Sequence, residues 1–244
     1  MKILLLGHKG MLGNCAYKRF NQIDGFEVFT TELRWPSSEF IKFVRSGDFD
    51  FIVNCIAKIP QSNVKGYQSY FTTNFALPIF LASTGGKLIQ ASSDAKDDSL
   101  YSTSKTLGDS LLHNFDNAHI INCSIIGIEI ENNRSLLSSF LNSKEDFWVG
   151  YSNYMWDGIT TLEWVKIAEK ITNGTIEDKV VCPYSKVVSK YDMLVKFRET
   201  FDKNIAIIPS PTPIREVEKK TKGIYCGDIG DMLVDLRNFY NEER

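Results

Sequence analysis

No two cysteines of this chain stand at CxxC spacing: Cys15, Cys55, Cys123, Cys182 and Cys226 are scattered and odd in number. Thiols placed this way build neither a disulfide framework nor a zinc knuckle, so no metal site is expected and a reducing, cytoplasmic setting is. Three of them fall in apolar runs, where cysteine fills core. A basic excess is also missing, the formal net charge being −2. That gives no support to a nucleic-acid partner or an anionic membrane surface. No apolar run approaches the length of a membrane span, and no signal-peptide pattern precedes the first apolar segment. Internal repeats and low-complexity linkers are lacking too. What is present, 43% hydrophobic residues over 244, can bury one domain with an added lobe.

The chain opens MKILLLGHKGMLGNCAYKRF. Lys2 to Leu6 is a short apolar run suited to a strand buried on both faces of a parallel sheet. Gly7, Gly10 and Gly13 follow at GxxGxxG spacing, and Met11 to Phe20 reads as a helix. Glycine serves where the chain turns sharply and where backbone must approach a pyrophosphate, and the helix N-terminus offers free N–H groups to that anion. The trio lies between a strand and a helix, which is the context a dinucleotide loop demands. A tight turn with no ligand is the alternative reading. A second strand, Phe26–Thr30, ends beside Thr31, Glu32 and Arg34. A carboxylate there binds the adenine ribose of NAD, whereas a cation accepts the extra phosphate of NADP. Arg34, with Lys9 inside the glycine loop, tilts the expectation to NADP(H) over NAD(H), although both cations also fit solvated surface charge.

Strand and helix signals then alternate: Phe51–Ala57, the helix Tyr67–Thr84, Lys87–Ser92, the helix Leu100–Asn114 and His119–Ile126. Such alternation predicts an α/β fold, a Rossmann-like doubly wound parallel sheet with right-handed crossovers. Ligands of such sheets sit at the carboxyl ends of the strands, and Gly7, Asn54–Ala57 and Ser92–Ser93 all fall there. The expected division is a Rossmann core over 1–127 and a smaller, mostly helical substrate lobe over 128–244, interleaving allowed. In that second part Leu136–Asn142, Thr161–Thr172 and Lys190–Phe201 read as helices, and Val180–Cys182 and Ile205–Ile208 as short strands. Trp148, Tyr151, Tyr154 and Trp156 cluster there, and aromatics in a row more often serve core or interface than a ligand. The charged run Glu216–Lys222 reads as a solvated segment.

Of the ten tyrosines, Tyr101 alone is followed four positions later by a lysine, Lys105. On a helix the two share a face. An ammonium beside a phenol favours the phenolate, so Lys105 is expected to lower the Tyr101 pKa. Ser93 can hold a carbonyl oxygen at the same spot. Together the three are proton-transfer equipment for making or oxidising an alcohol, although a Tyr/Lys pair by itself also fits a solvated helix face.

With GHKGMLG, FIVNCIA, NFALP, LIQASSD and YSTSKTLGD in that order, the chain resembles an extended short-chain dehydrogenase/reductase, and most of all the dTDP-4-dehydrorhamnose reductase family. The likeness is strong over residues 1–127, continues through WDGITTLEWVKIAEKI, and fades toward the C-terminus. It implies an NADP-dependent reductase of a 4-keto nucleotide-deoxysugar. Tyr101 would be the general acid, Lys105 would hold the nicotinamide ribose, Ser93 would bind the substrate carbonyl, and Asp94 would follow as a substrate-side acid. Gly7, Lys9, Gly10, Met11, Leu12 and Gly13 would cradle the phosphates. Asn54, Cys55, Ile56, Ala57 and Asn74 would line the adenosine side, and Ser124, Ile125 and Ile126 the nicotinamide side. A nucleotide-sugar substrate is the implied partner, and a homodimer through the helices bearing NFALP and YSTSK is compatible with the family. One departure stands out: only DAKDDSL, residues 94–100, separates the catalytic hydroxyl from the YxxxK helix, where family members carry a longer loop. That keeps a weakly catalytic, dinucleotide-binding regulatory protein in view, and behind it an epimerase or dehydratase.

Overall fold

The computed structural model describes residues 1–61, 66–131, 133–218 and 222–242. Five strands of the first half, β1 (Lys2–Leu6), β2 (Glu27–Phe29), β3 (Phe51–Asn54), β4 (Lys87–Ser92) and β5 (Ala118–Asn122), join Val180–Val181 in a six-stranded sheet. Every pairing is parallel, and the order is β2-β1-β3-β4-β5 followed by Val180–Val181. The expected doubly wound sheet is therefore the observed one. Both faces are dry: Leu4 and Leu6 point one way and Ile3 and Leu5 the other, and all four are buried. Continuous apolar runs mark strands covered on both sides.

The helices connecting these strands are α1 (Met11–Phe20), α2 (Ser38–Ser46), α3 (Tyr67–Tyr70), α4 (Leu77–Ala82) and α5 (Leu100–Leu112). α2 was not anticipated. Its start is fixed by Ser37, whose Oγ accepts from the Phe40 amide at 3.2 Å, an N-cap of the usual kind. Phe40 and Val44, one turn apart, bury against Leu4, Leu6, Ile52, Leu77 and Leu81. The single helix expected over 67–84 is interrupted by a π-helical stretch, Phe71–Ala76. Strand ends are also shorter than expected: the segment 51–57 leaves the sheet after Asn54, and 119–126 divides into β5 and a separate strand Ile125–Ile126.

β1 leads outward to β2, and the chain then crosses back over β1 to form β3. The reversal opens a crevice at the carboxyl ends of β1 and β3, where ligands of doubly wound sheets bind.

Two compact units result. One comprises Met1–Asn122 with Val165–Val181, the other Cys123–Trp164 with Cys182–Arg244. Residues 123–127 thus belong to the second unit, and 165–181 return to the first, where Glu169 accepts from the Arg19 guanidinium of α1 at 3.1 and 3.2 Å. The second unit is mixed rather than mostly helical. It holds Leu136–Asn142, Lys190–Thr200 and Ile229–Asn241 as helices, together with four two-stranded pairs. The longest pair is parallel, Phe147–Tyr151 with Ala206–Ser210. Of the run Glu216–Lys222, residues 219–221 lie outside the described residues. Among the described residues no helix is long and apolar enough to cross a membrane.

Candidate active site

The glycine loop follows β1 directly. Gly7 has φ +83°, and a Cβ there would stand 3.1 Å from the Cys55 carbonyl carbon and 3.2 Å from the Ile56 amide nitrogen. Gly13 is tighter still, since a Cβ would meet the Gly7 oxygen at 2.1 Å. Two of the three glycines are therefore demanded by geometry: one for the left-handed turn, the other for close passage of α1 over β1. The first turn of α1 carries no acidic residue and no side-chain cap, so nothing there repels an anion. Bare backbone, a forced turn and an uncapped helix start fit a dinucleotide pyrophosphate.

At the end of β2, charges of both signs meet. Glu32 lies 3.0 Å from the Lys9 ammonium and 3.2 Å from His8. The Lys9 hydrogen bond, with His8 and Arg34 adding attraction, holds the Glu32 carboxyl below its usual range. Lys9 and Arg34, the cations expected to favour NADP, thus share their surroundings with Glu32.

Beyond β3, Asn54 is buried and spoken for. Its Nδ2 donates to Gln90 at 2.8 Å, and its Oδ1 accepts from the Ile56 amide at 3.1 Å. Asn74 is likewise used by the protein: Oδ1 accepts from the Lys58 amide at 2.7 Å, and Nδ2 donates to the Lys58 carbonyl at 2.9 Å and to Ser104 Oγ at 3.1 Å. These two asparagines shape the segment after β3, with their amides engaged by protein rather than turned outward. The π-helical stretch supplies Asn74, and its Thr72 carbonyl accepts from the Trp35 indole at 2.8 Å. The same carbonyl accepts from the Leu77 amide, the i+5 bond that makes the stretch π-helical. Cys55 is a half-buried residue whose thiol is pushed up by desolvation.

The third strand end carries the expected chemistry. Ser93, just past β4, lies beside the Tyr101 phenol in the first turn of α5, near enough to favour its ionised form. The short segment between them is tied down: Ser99 caps α5 by accepting from the Ser102 amide at 3.1 Å, and Ser102 Oγ donates to the Ala95 carbonyl at 2.6 Å. Lys105 shares a helix face with Tyr101, but its ammonium donates to the Ala91 carbonyl of β4 at 2.7 Å. Here one expectation fails. The Tyr101 pKa is raised, first by burial, with Asp94, Asp109 and Asp97 adding repulsion and Ser93 opposing. In this state Lys105 does not draw the phenol down.

Lys105 is itself 4% exposed and lowered to about 8, chiefly by burial, with Asp109 pulling the other way. Asp109 was not anticipated, although it stands one turn beyond Lys105 on the same face. Burial raises its pKa, and the hydrogen bond from Ser92 Oγ opposes that.

Ser124, Ile125 and Ile126 belong to the second unit. There Ile125–Ile126 pairs in parallel with Ile159–Thr160, and Ser124 accepts from the Ile159 amide at 3.0 Å. A Cβ at Gly158 would meet the Ser124 oxygen at 2.2 Å, so WDGITT is fitted closely to that strand. The aromatic cluster divides. Trp156 is core, 6% exposed. Tyr154 has the Lys190 ammonium 4.2 Å over its ring. Trp148 and Tyr151 line a hollow of about 300 Å³ with Leu136, Val149, Lys190 and Leu194.

A parallel sheet that reverses at β1/β3, a glycine turn in the crevice and a Ser/Tyr/Lys set beside it define an α/β dinucleotide-binding type of fold. No protein-family model and no curated protein matches the sequence. Among solved structures the chain is similar to a dTDP-4-dehydrorhamnose reductase from Clostridium acetobutylicum, with 18% identity, TM-score 0.80, and coverage of 99% of this chain and 100% of that one. It is similar also to the dTDP-4-dehydrorhamnose reductase of Bacillus anthracis in complex with NADP, with 12% identity, TM-score 0.80 and 99% of each chain covered. A third is UDP-glucuronic acid 4-epimerase from Bacillus cereus in complex with NAD, with 15% identity, TM-score 0.68 and again 99% of each chain. At such identities the likeness is one of fold, and it spans the whole chain.

Proposed function

We propose that this protein is an NADP-dependent reductase of a 4-keto nucleotide-deoxysugar, with Tyr101 as its proton donor. The observation that carries the reading is the half-buried Tyr101 phenol beside Ser93 at the carboxyl end of β4, with Lys105 one turn along α5. Bound at the glycine loop, the dinucleotide would supply the hydride. Ser93 Oγ orients the substrate carbonyl by hydrogen bonding, a single-donor form of oxyanion stabilisation. Tyr101 Oη delivers the proton to the oxygen as it becomes an alcohol. A phenol raised above its ordinary pKa stays protonated at neutral pH, which suits reduction better than the reverse reaction. Lys105 places its ammonium for the nicotinamide ribose, and Gly7, Gly10, Met11, Leu12 and Gly13 lend backbone to the phosphates. Cys55, Ile56 and Ala57 pass beside that loop in a segment that Asn54 and Asn74 hold in shape.

The preference for NADP rests on Lys9, His8 and Arg34 gathering at the end of β2, and the reductase of Bacillus anthracis is itself in complex with NADP. A nucleotide-sugar substrate is supported by the hollow in the second unit. Trp148 and Tyr151 offer faces for a base, and Lys190 offers a cation for phosphate. On this reading Asp94 would serve the substrate side, and Ser124, Ile125 and Ile126 the nicotinamide side. Leu100, Leu107 and Leu111 leave an exposed apolar stripe on α5, which supports a homodimer through that helix. Scattered free thiols suit a cytoplasmic protein. One observation favours the second reading, a dinucleotide-binding regulator with little turnover: the short segment 94–99 is tied back to α5, so no long loop is available to close over a sugar.

Fluorescence titration with NADPH and NADH, then with dTDP, UDP or GDP added, tests both readings, and Tyr101→Phe separates them. The reductase requires turnover to fall by about 10²-fold or more while dinucleotide affinity holds. Turnover indifferent to the phenol sinks it. Cofactor binding that no nucleotide diphosphate strengthens favours the regulator.

A further inference from the structure

The last two residues of β4 are each tied to one face of α5. Ala91 accepts from the Lys105 ammonium at 2.7 Å, and the Ser92 hydroxyl donates to Asp109 Oδ2. Lys105 and Asp109 are one helical turn apart, so the two rungs are stacked. Ser93, beside the Tyr101 phenol, follows directly after the strand. Both rungs lie where water is scarce: Lys105 is 4% exposed, and burial acts on both charged groups. A buried ammonium without a carboxylate nearby discards its proton instead of remaining charged.

We propose that Asp109 is a positioning residue: held by Ser92, it keeps Lys105 protonated and fixes the end of β4, and with it Ser93, against the helix that carries Tyr101. The proposal rests on the reading that Lys105 serves a bound dinucleotide. The groups that bear on the pair are few. On α5 itself they are Asp109 for Lys105 and, for Asp109, His113 at the helix end. From β4 come the Ser92 hydroxyl and the Ala91 carbonyl. From the end of β3 comes Cys55, whose thiol stays protonated. The π-helical stretch packed on α5 contributes only Asn74 near Ser104, which is uncharged. Asp109 is thus the carboxylate that sets the charge of Lys105.

The test is NADPH binding, followed by fluorescence from about pH 6 to about pH 10, in the unaltered protein, Asp109→Asn and Asp109→Glu. Asparagine can still accept from Ser92 but carries no charge. The alkaline limit of binding should then move to lower pH by about one unit or more, with the fold intact by circular dichroism. Glutamate should bring the limit back most of the way, which a role in packing alone would not do. An alkaline limit shared by Asp109→Asn and the unaltered protein, both still binding, overturns the positioning role and leaves the functional reading standing. Absence of NADPH binding by the unaltered protein at every pH overturns both. Should Asp109→Asn fail to fold, Asp109→Ser removes the same charge while keeping a polar group for Ser92, and an unmoved limit there also counts against the proposal.

Discussion

On the proposed reading, Glu32 is the residue on which cofactor choice turns. It accepts from Lys9 at 3.0 Å on an exposed surface, so the pair itself adds little stability. Its effect is on recognition. A carboxylate at the end of the second strand suits a ribose diol and repels a 2′-phosphate, while Lys9, His8 and Arg34 around it attract one. In the free protein Glu32 pairs with Lys9, so on the proposed reading a 2′-phosphate would have to displace it. Replacing Glu32 by Gln removes the competitor and leaves the cations in place. NADPH should bind several-fold more tightly and NADH no better, with the gain shrinking as salt is added. Parallel titrations at two ionic strengths measure this. Tightened NADH binding, or no change for either dinucleotide, would show that Glu32 does not face the ribose. The role was only half legible in the sequence. Glu32, Arg34 and Lys9 could all be seen near the right strand end, but their mutual pairing depends on how two loops meet, and spacing carries no such information.

At the scale of elements, the meeting of α5 with the π-helical stretch Phe71–Ala76 organises the site. Gly108 makes it possible: a Cβ there would stand 2.8 Å from the Asn74 carbonyl oxygen. In an open helix Gly→Ala gains up to about 1 kcal/mol. Here the added methyl presses on backbone, which has no flexible end to move aside, and overpacking of this kind costs about 1–3 kcal/mol. Gly108→Ala should therefore lower stability on balance. It should also loosen the bonds from Asn74 to Lys58 and Ser104, so dinucleotide affinity should fall beyond the loss of stability. Urea unfolding and NADPH titration of one preparation check both, and a stabilised variant would refute the close approach. The contrast with the sequence reading is instructive. β1, α1 and β4 were found to the residue because local signals sufficed: an unbroken apolar run, or a glycine turn opening an amphipathic stretch. The break in 67–84 was invisible, because the Trp35 indole that takes the Thr72 carbonyl comes from 37 residues away. Phe147–Tyr151 was missed for a like reason: its partner, Ala206–Ser210, lies far along the chain, and its outward residues Phe147 and Val149 are apolar, which hides the alternation of a strand. Spacing singles out Tyr101, Lys105 and Ser93 as candidates, but it does not give the sense of the Tyr101 shift, which is governed by burial.

For the molecule as a whole, the same arrangement sets function against stability. Lys105 is lowered from 10.5 to about 8, mainly by burial. Its folded pKa is below its unfolded one, so between those limits the unfolded chain binds more protons and stability must rise with pH. Below about pH 8 the ammonium is charged in both states, and its burial penalty is present in full. Only above about pH 10.5 do both states become neutral and the penalty go, a relief on the order of 3 kcal/mol. Asp109 acts in the opposite sense. Its folded pKa is raised from 3.8, so its penalty is absent in acid and grows as pH rises through and above the ordinary carboxylate range. A fold selected for stability alone would place apolar side chains at 105 and 109. Lys105→Met should accordingly be more stable than the unaltered protein at neutral pH, with the advantage shrinking as pH climbs from about 8 to about 10.5, and it should bind NADPH poorly. Urea midpoints for the two proteins across that window test the sign directly. Because the other lysines and tyrosines titrate alike in both, the difference between the two curves isolates Lys105. A difference that is flat, or that widens with alkali, would mean that the ammonium is not buried at a cost, and that the site is held by its hydrogen bonds alone.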